Sequence, residues 1–485
     1  MIRTKTQCFL HLAFLLVVIP LPVSAQQQKP DEIKGQLYDA INTGDAQTFA
    51  SLIGLVGQQD RDNFLLYVLS QSQKDPLEIV RVLIEKGADV NTPSRSETAL
   101  MRAAGKGYVD IVRLLLSKGA QVNANVDDGT PLMVAVRRGD IEIMKILLAA
   151  GADVNLVHRV GDQALMMAAR QRSLRTPSAE PNAEVVELLL AHGADPKARG
   201  DWNRTALMSA NTAAKVKLLL AKGAEIDAQD KDGQTALMHA AERGDAAVAG
   251  ALLDSGASVN LVDNEGLTAL LYSLDDENMA LGDERQTLPA RRLEVARVIL
   301  LAKDADVNAA NQDGETPLIR AVRLANVDVI KALLAKRADA NRSDVFGDTA
   351  VTLAYNSDNA EIGKLLPLPS LKRQPPNVLN AFLRAAIEKK DEAKVKELLT
   401  AGADPNHEYG ISYNHKSIKR TVLILAAGVG HAGIVQLLLD KGANPNAKGL
   451  LYGSEHGLEY GTALEAAERS KHVEVAALLK KVRQD

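Results

Sequence analysis

A short phrase of the form Gly-Ala-Asp-x-Asn returns ten times in this 485-residue chain, in clear or degraded form. It stands at 87–91, 119–123, 151–155, 193–197, 223–227, 256–260, 304–308, 337–341, 402–406 and 442–446. Each occurrence closes a Leu-rich stretch with helical spacing. A recurrence of about 33 residues means stacked supersecondary units, none of which can bury its apolar face alone.

The supply of apolar residues suits such a stack. They make up 46% of the chain, with 24% charged and only 3% aromatic, so a core would be aliphatic and built from interlocking helices. The formal net charge of −4 gives no bulk attraction to nucleic acid or to an anionic membrane.

The first 25 residues have the pattern of a secretory signal. Arg3 and Lys5 give a positive start, 9–19 is an apolar run, and Val23-Ser24-Ala25 is a small-residue cleavage site. Pro20 and Pro22 end the apolar run well short of the roughly 20 residues that a membrane-spanning helix needs, which disfavours an uncleaved anchor. Cleavage after Ala25 would remove Cys8, the only cysteine, and take the net charge from −4 to −6. An exported chain without disulfides must then draw its stability from packing.

One repeat shows why the phrase recurs. In 232–244, Thr235 caps a short helix on which Leu237, Ala240 and Ala241 face inward, and Gly244 ends it. A second helix over 247–253 carries Val248, Leu252 and Leu253, and stops at Gly256 where a left-handed residue is wanted. Asn260, Asp263 and Gly266 turn the chain into the next unit. Thr-Ala-Leu or Thr-Pro-Leu starts stand at Thr98, Thr130, Thr205, Thr235, Thr268, Thr316 and Thr462, with weaker versions at Gln163, Thr349 and Thr421.

With these elements the units resemble ankyrin repeats over about 65–482, and the helix pair at 36–57 resembles a degenerate N-terminal cap. The resemblance implies an all-α solenoid of about thirteen antiparallel helix pairs, with short β-hairpin fingers along one edge and the first helices lining a concave face. The family's histidine, which links neighbouring units, is replaced by Met101, Met133, Met166, Met208 and Met238. A methionine row can serve soft metals or sense oxidation, but inward positions favour filler between repeats.

The breaks in the pattern carry most of the functional information. Asp304 and Arg337 replace the helix-ending glycine, at about 1 kcal/mol each if left-handed. A truncated repeat then ends at Leu366, and Pro367, Pro369, Pro375 and Pro376 follow. These features predict an array over 34–366, a weak or angled junction at 367–376 and a second array over 377–485.

Polar insertions at 171–182 and 275–290 lengthen loops between paired helices without needing to change the core. Two others, 407–420 and 448–461, enlarge fingers and hold Tyr409, Tyr413, Tyr452 and Tyr460 with His407, His415 and His456. Neighbouring fingers should meet in one raised aromatic patch suited to a protein partner; the alternative is two hairpins packed only on each other. A zinc site from His407, Glu408, His415, Glu455 and His456 lacks compact ligand spacing. Lys106, Arg138, Arg243, Arg323, Lys389 and Arg469 near the ends of first helices could line the groove for an acidic partner, although helix dipoles favour cations there anyway and a solvated face is the favoured alternative.

No phosphate loop, Gly-x-Ser-x-Gly elbow or His-Glu-x-x-His stands in the chain, and no thiol survives cleavage. His158, His192, His239, His431 and His472 are expected to be ordinary surface residues. The sequence therefore predicts a monomeric, non-enzymatic protein-binding scaffold of a bacterial periplasm or secretome, without a cofactor, metal, nucleic-acid partner or membrane insertion. Its candidate contacts are Tyr409, Tyr413, His415, Tyr452, His456, Tyr460, Arg138, Arg243 and Arg323. The alternatives are an immunity or inhibitor protein acting on a toxin or enzyme, and a protective protein with no defined partner.

Overall fold

The computed structural model describes residues 30–482 apart from 72–75, 93–96, 128, 160, 172–182, 276–283, 358, 369, 372–373, 414–415 and 452–458, and apart from the side chains of 284–286 and 411–418. The signal-like segment and most of the 171–182 insertion lie outside the described residues. The chain divides into two compact units, Met1–Ala164 and Leu165–Asp485.

The first unit holds α1 (Pro30–Thr43), α2 (Ala46–Leu52), α3 (Gln58–Gln71), α4 (Leu77–Glu85), α5 (Ala99–Lys106), α6 (Val109–Ser117), α7 (Pro131–Arg138) and α8 (Ile141–Ala149). α9 (Ala164–Arg170) opens the second. It continues with α10 (Ala183–Ala191), α11 (Ala206–Ser209), α12 (Ala213–Ala221), α13 (Ala236–Arg243), α14 (Ala246–Asp254), α15 (Ala269–Ser273) and α16 (Glu284–Leu301). Then come α17 (Pro317–Arg323), α18 (Val327–Ala335), α19 (Ala350–Asn356), α20 (Ala360–Leu365), α21 (Pro376–Glu388) and α22 (Glu392–Ala401). The end of the unit is a hairpin of β1 (Glu408–Tyr413) and β2 (Lys416–Thr421), α23 (Val422–Val429), α24 (Ala432–Asp440), the short pair β3 (Gly449–Leu450) and β4 (Tyr460–Gly461), α25 (Ala463–Arg469) and α26 (Val473–Val482). Among the described residues these are thirteen helix pairs, as the repeat pattern predicts, and no described helix is long and apolar enough to cross a membrane.

First helices are kept short and slim by alanine. Ala103, Ala104, Ala240 and Ala241 are buried, which lets each first helix lie close to the larger Ile, Val and Leu side chains of the second helices. Their start is set by threonine: the Thr235 hydroxyl accepts from the Met238 N–H at 3.3 Å, and the same cap recurs at Thr98, Thr130, Thr205, Thr268 and Thr316. The five methionines are all buried. At three of the caps the methionine sulfur accepts in return from the threonine N–H, at 3.4–3.5 Å, in the role a Glu or Gln takes in an ordinary capping box. Methionine thus fills core space and caps a helix at once.

Every letter of the repeated phrase has a partner. Gly119, Gly151 and Gly256 take left-handed φ values of 84°, 88° and 91°, so the chain can leave the second helix sharply. The Asp side chain accepts from the N–H two residues on, as Asp153 does from Asn155 at 2.9 Å. The Asn amide then joins repeats. Asn123 donates to the Gly151 carbonyl at 3.2 Å and accepts from the Asp153 N–H at 2.8 Å, and Asn91, Asn260, Asn308 and Asn406 make the same pair of bonds. On α3, just after the N-terminal cap, two residues divide that role, Gln58 donating to Gly87 O and Asp62 accepting from Asp89 N.

The lost glycines behave differently from each other. Arg337 does sit at φ 65°, with the strain expected, whereas Asp304 is not left-handed, because one extra residue in that exit lets the chain turn without it. The insertion at 275–290 is also more than a loop. From Glu284 onward it forms the N-terminal part of α16, where Arg292 is buried and donates to Glu242 O at 2.8 Å, so it packs back on the preceding repeat. The Pro-rich segment 367–376 lies inside the second unit, and one apolar core runs from Val351 through Leu371 to Leu479 across it.

Removal of one bridging amide tests this joint. Asn123→Ala should destabilise the chain by about 1–3 kcal/mol in chemical denaturation, since a backbone donor and acceptor lose their partner. Asn123→Asp keeps the acceptor, so its loss should be smaller; equal losses would assign the effect to something other than the amide bridge.

Candidate binding surface

Fingers connect successive repeats, and their tips are locked to one another by backbone. In the second unit the N–H of Lys231 donates to Trp202 O at 2.9 Å, Asn264 to Asp232 O at 3.0 Å, Gln312 to Glu265 O at 3.0 Å and Val345 to Asp313 O at 2.8 Å. Buried aspartates brace three of these tips from within. Asp230 accepts from Asp232 N and Gln234 N, Asp263 from Glu265 N and Leu267 N, and Asp344 from Phe346 N and Asp348 N. A side chain from the first helix holds each: His239 lies 2.9 Å from Asp230, Tyr272 Oη donates to Asp263 at 2.6 Å, and Arg323 donates to Asp344 at 2.9 Å. Burial pushes the Asp344 carboxyl up to about 6 in spite of that cation.

His239 is therefore a buried structural residue and not a surface one; its contact with Glu242 holds that carboxyl below its usual range. His472 is likewise used internally, with Nε2 at 3.0 Å from Gly428 O.

Of the basic stripe expected along the first helices, Arg138, Arg243 and Arg323 are drawn to neighbouring groups, while Lys106, Lys389 and Arg469 are exposed. Arg138 donates to Gly105 O at 2.9 Å, Arg243 to Met208 O and Ala210 O at 2.9 and 3.0 Å, and Arg320 to Leu271 O at 2.9 Å. Each reaches back to the carbonyl end of the preceding first helix, where orphan acceptors and the negative dipole end attract a cation. Asp140 and Asp245, two residues on, hold Arg138 and Arg243 in place. Arg323 is taken by Glu315 and Asp344. These three arginines are thus joints between repeats. The signal was legible in retrospect in the triplets Arg138-Gly139-Asp140 and Arg243-Gly244-Asp245, which form the same local ion pair.

Lys215 is the extreme case of this role, and sequence reasoning missed it. Its side chain is fully buried, and Nζ donates to Ala168 O, Gln171 O and Asn211 Oδ1 at 2.9–3.0 Å, with Ala169 O at 3.2 Å. α11 has only four residues, so it leaves room for the lysine to reach the end of α9. No carboxylate is among these partners, and burial pushes the ammonium down to about 8.

The Tyr-rich fingers do meet: Arg420 Nε, at the base of β2, donates to Leu450 O of β3 at 2.8 Å. They do not present all their tyrosines. Tyr409 is buried in the apolar core, with the Arg384 guanidinium 5.1 Å from its ring centre, because alternation along β1 turns position 409 inward. Tyr460 is 60% exposed. The side chains of Tyr413, His415, Tyr452, Glu455 and His456 lie outside the described residues. His407 is half-buried beside Asn380, and burial lowers its pKa.

A residue absent from the sequence-based candidates stands at another tip. Trp202, the only tryptophan, is 52% exposed at φ 55°, and Asn203 follows at φ 61° where other fingers use glycine. Lys231 Nζ lies 4.9 Å from the ring centre. Val157, Val262 and Val345 are exposed finger residues too.

A profile for ankyrin repeats in three copies matches 37–126, 122–199, 165–263, 205–280, 290–371 and 382–485, nearly the whole described chain. The chain belongs to the ankyrin repeat family. Among curated proteins this ankyrin chain is 32% identical over 151 residues to an ankyrin repeat and KH domain-containing protein of Caenorhabditis briggsae, covering 31% of this chain and 5% of that protein. It is 31% identical over 182 residues to ankyrin repeat and KH domain-containing protein mask-1 of Caenorhabditis elegans, covering 37% and 6%. It thus spans a small fraction of the length of these relatives. Ankyrin repeats are generally a protein-interaction module.

Replacing Lys215 tests the internal use of cations. Lys215→Met should lose about 1–3 kcal/mol at pH 7, because buried carbonyls lose their donor. Between pH 8 and the ordinary lysine value of 10.5 the unfolded chain binds more protons than the native one, so this group adds stability as pH rises there. The Tm gap between wild type and variant should therefore widen across that window; a constant gap would count against a shifted ammonium.

Proposed function

We propose that the mature chain is a monomeric, non-enzymatic scaffold of a bacterial periplasm or secretome that binds a protein partner through the edge formed by its fingers. The signal-like first 25 residues and the cysteine-free remainder support the compartment. The observation that carries the surface is a contrast in availability: Arg138, Arg243 and Arg323 are spent on neighbouring repeats, while Trp202, Val262, Val345 and Tyr460 stand exposed on fingers.

Fingers held together by the backbone ladder are ordered before a partner arrives, so little entropy is lost on contact. Tryptophan and tyrosine supply large contact area on few rotatable bonds. The insertions at 407–420 and 448–461 lengthen this same edge, and a partner bound there would cover Trp202, Tyr460 or both.

The test is capture of partners from the native compartment by the mature chain, followed by titration of the purified partner. Trp202→Ala combined with Tyr460→Ala should abolish capture and leave the far-UV spectrum unchanged. Partner binding should also shift the emission of the single tryptophan. If the double variant captures the partner as wild type does, the finger edge is not the site and the first-helix face takes its place.

A further inference from the structure

Within the second unit, consecutive second helices pack side by side from α10 with α12 through α24 with α26, save at one step. α20 and α22 make no comparable contact, although the first helices α19 and α21 remain packed. α20 has only six residues, and the repeat ends without the Gly-Ala-Asp-x-Asn exit that would start a finger. Leu366, which caps α20, and Leu371, in the Pro-rich segment, are both buried. This joint is held on one side.

Polar groups at both ends of the α19–α21 contact do much of the holding. At the finger end the backbone ladder stops at Val345, and Arg384 stands in for the missing donor: Nη1 donates to Phe346 O at 2.9 Å. Its other nitrogen pairs with Asp348, and its plane lies over Tyr409. Arg384 is buried and its Nε has no partner among the described residues, so the contact is less complete than those at regular joints. At the far end Tyr355 Oη donates to Asp391 at 2.7 Å and Asn356 to Glu388 at 3.0 Å.

α21 also repeats the design that begins the chain's stack. It has 13 residues where α1 and α3 have 14 each, and the remaining first helices are shorter. Asn380 accepts from Asp404 N at 2.7 Å, as Asp62 of α3 does from Asp89 N at 2.8 Å. A helix built like α3 thus restarts the stack in mid-chain.

From this geometry we infer that the repeat stack hinges between α20 and α22, turning about the α19–α21 contact, and that Arg384 is the latch that sets the closed angle. Opening swings the fingers at 407–461 away from those at 200–348, so the latch controls which finger residues a single partner can reach. The inference does not depend on which finger residues bind.

Spin-label distance distributions on the full chain in a Cys8→Ser background test it. Ala335→Cys with Gln436→Cys spans the step from α18 to α24, and Ala221→Cys with Ala335→Cys spans an equal number of repeats from α12 to α18. The first pair should give the wider distribution. Arg384→Met should widen it further and leave the second pair unchanged, and Asp348→Asn, a milder change that removes the carboxylate from Arg384 and from its longer contact with Arg323, should widen it in the same sense. Equal widths for the two pairs in wild type, or no response to either substitution, would overturn the hinge.

Discussion

The asparagine that ends most of the repeated phrases holds this architecture together. An amide offers a donor and an acceptor on one rigid plane, and both are used on the next repeat, on the Gly carbonyl and on the Asp N–H. The groups it satisfies are those a helix exit leaves without partners. Stacking therefore satisfies polar backbone and buries apolar faces in the same step, and neither helix pair is complete without the next. Where asparagine is missing the contact is rebuilt by other means: Gln58 with Asp62 on α3, and Asn380 on α21. Asp227, which can only accept, receives the N–H and hydroxyl of Ser258 instead.

The cations follow the same logic. A row of cations along first helices suggests a surface for an acidic partner, yet Arg138, Arg243 and Arg320 are drawn back to the carbonyl end of the neighbouring first helix, and Arg323 to Glu315 and Asp344. The consequence for function is a redistribution of the candidate surface. Charge at Arg138, Arg243 and Arg323 that reads in the sequence as recognition serves structure, and apolar and aromatic side chains, Trp202 among them, stand exposed on the fingers.

Much of the fold was legible from local chemistry. Thr235 announces a cap, Gly256 an exit and Ala240-Ala241 a slim first helix, because each acts over only a few residues of sequence. The candidate site was legible only in part. Tyr409 looks like a surface aromatic until β1 turns it inward over Arg384, and His239 looks like a solvent residue until Asp230 closes on it. Lys215 gave no warning at all: its burial follows from the shortness of α11 and the position of α9, residues some 45 positions away. Trp202 was passed over because a lone tryptophan in a loop carries no periodicity.

The sequence by itself determined the repeat, its direction of stacking and the count of helix pairs, since a fixed period of caps and exits leaves one way to bury the aliphatic face. Tertiary structure alone decided which polar side chains are consumed between repeats and which face outward. That outcome depends on the reach of long side chains across a joint, and on whether a neighbouring helix is a turn longer or shorter, neither of which is encoded within the repeat that carries the residue.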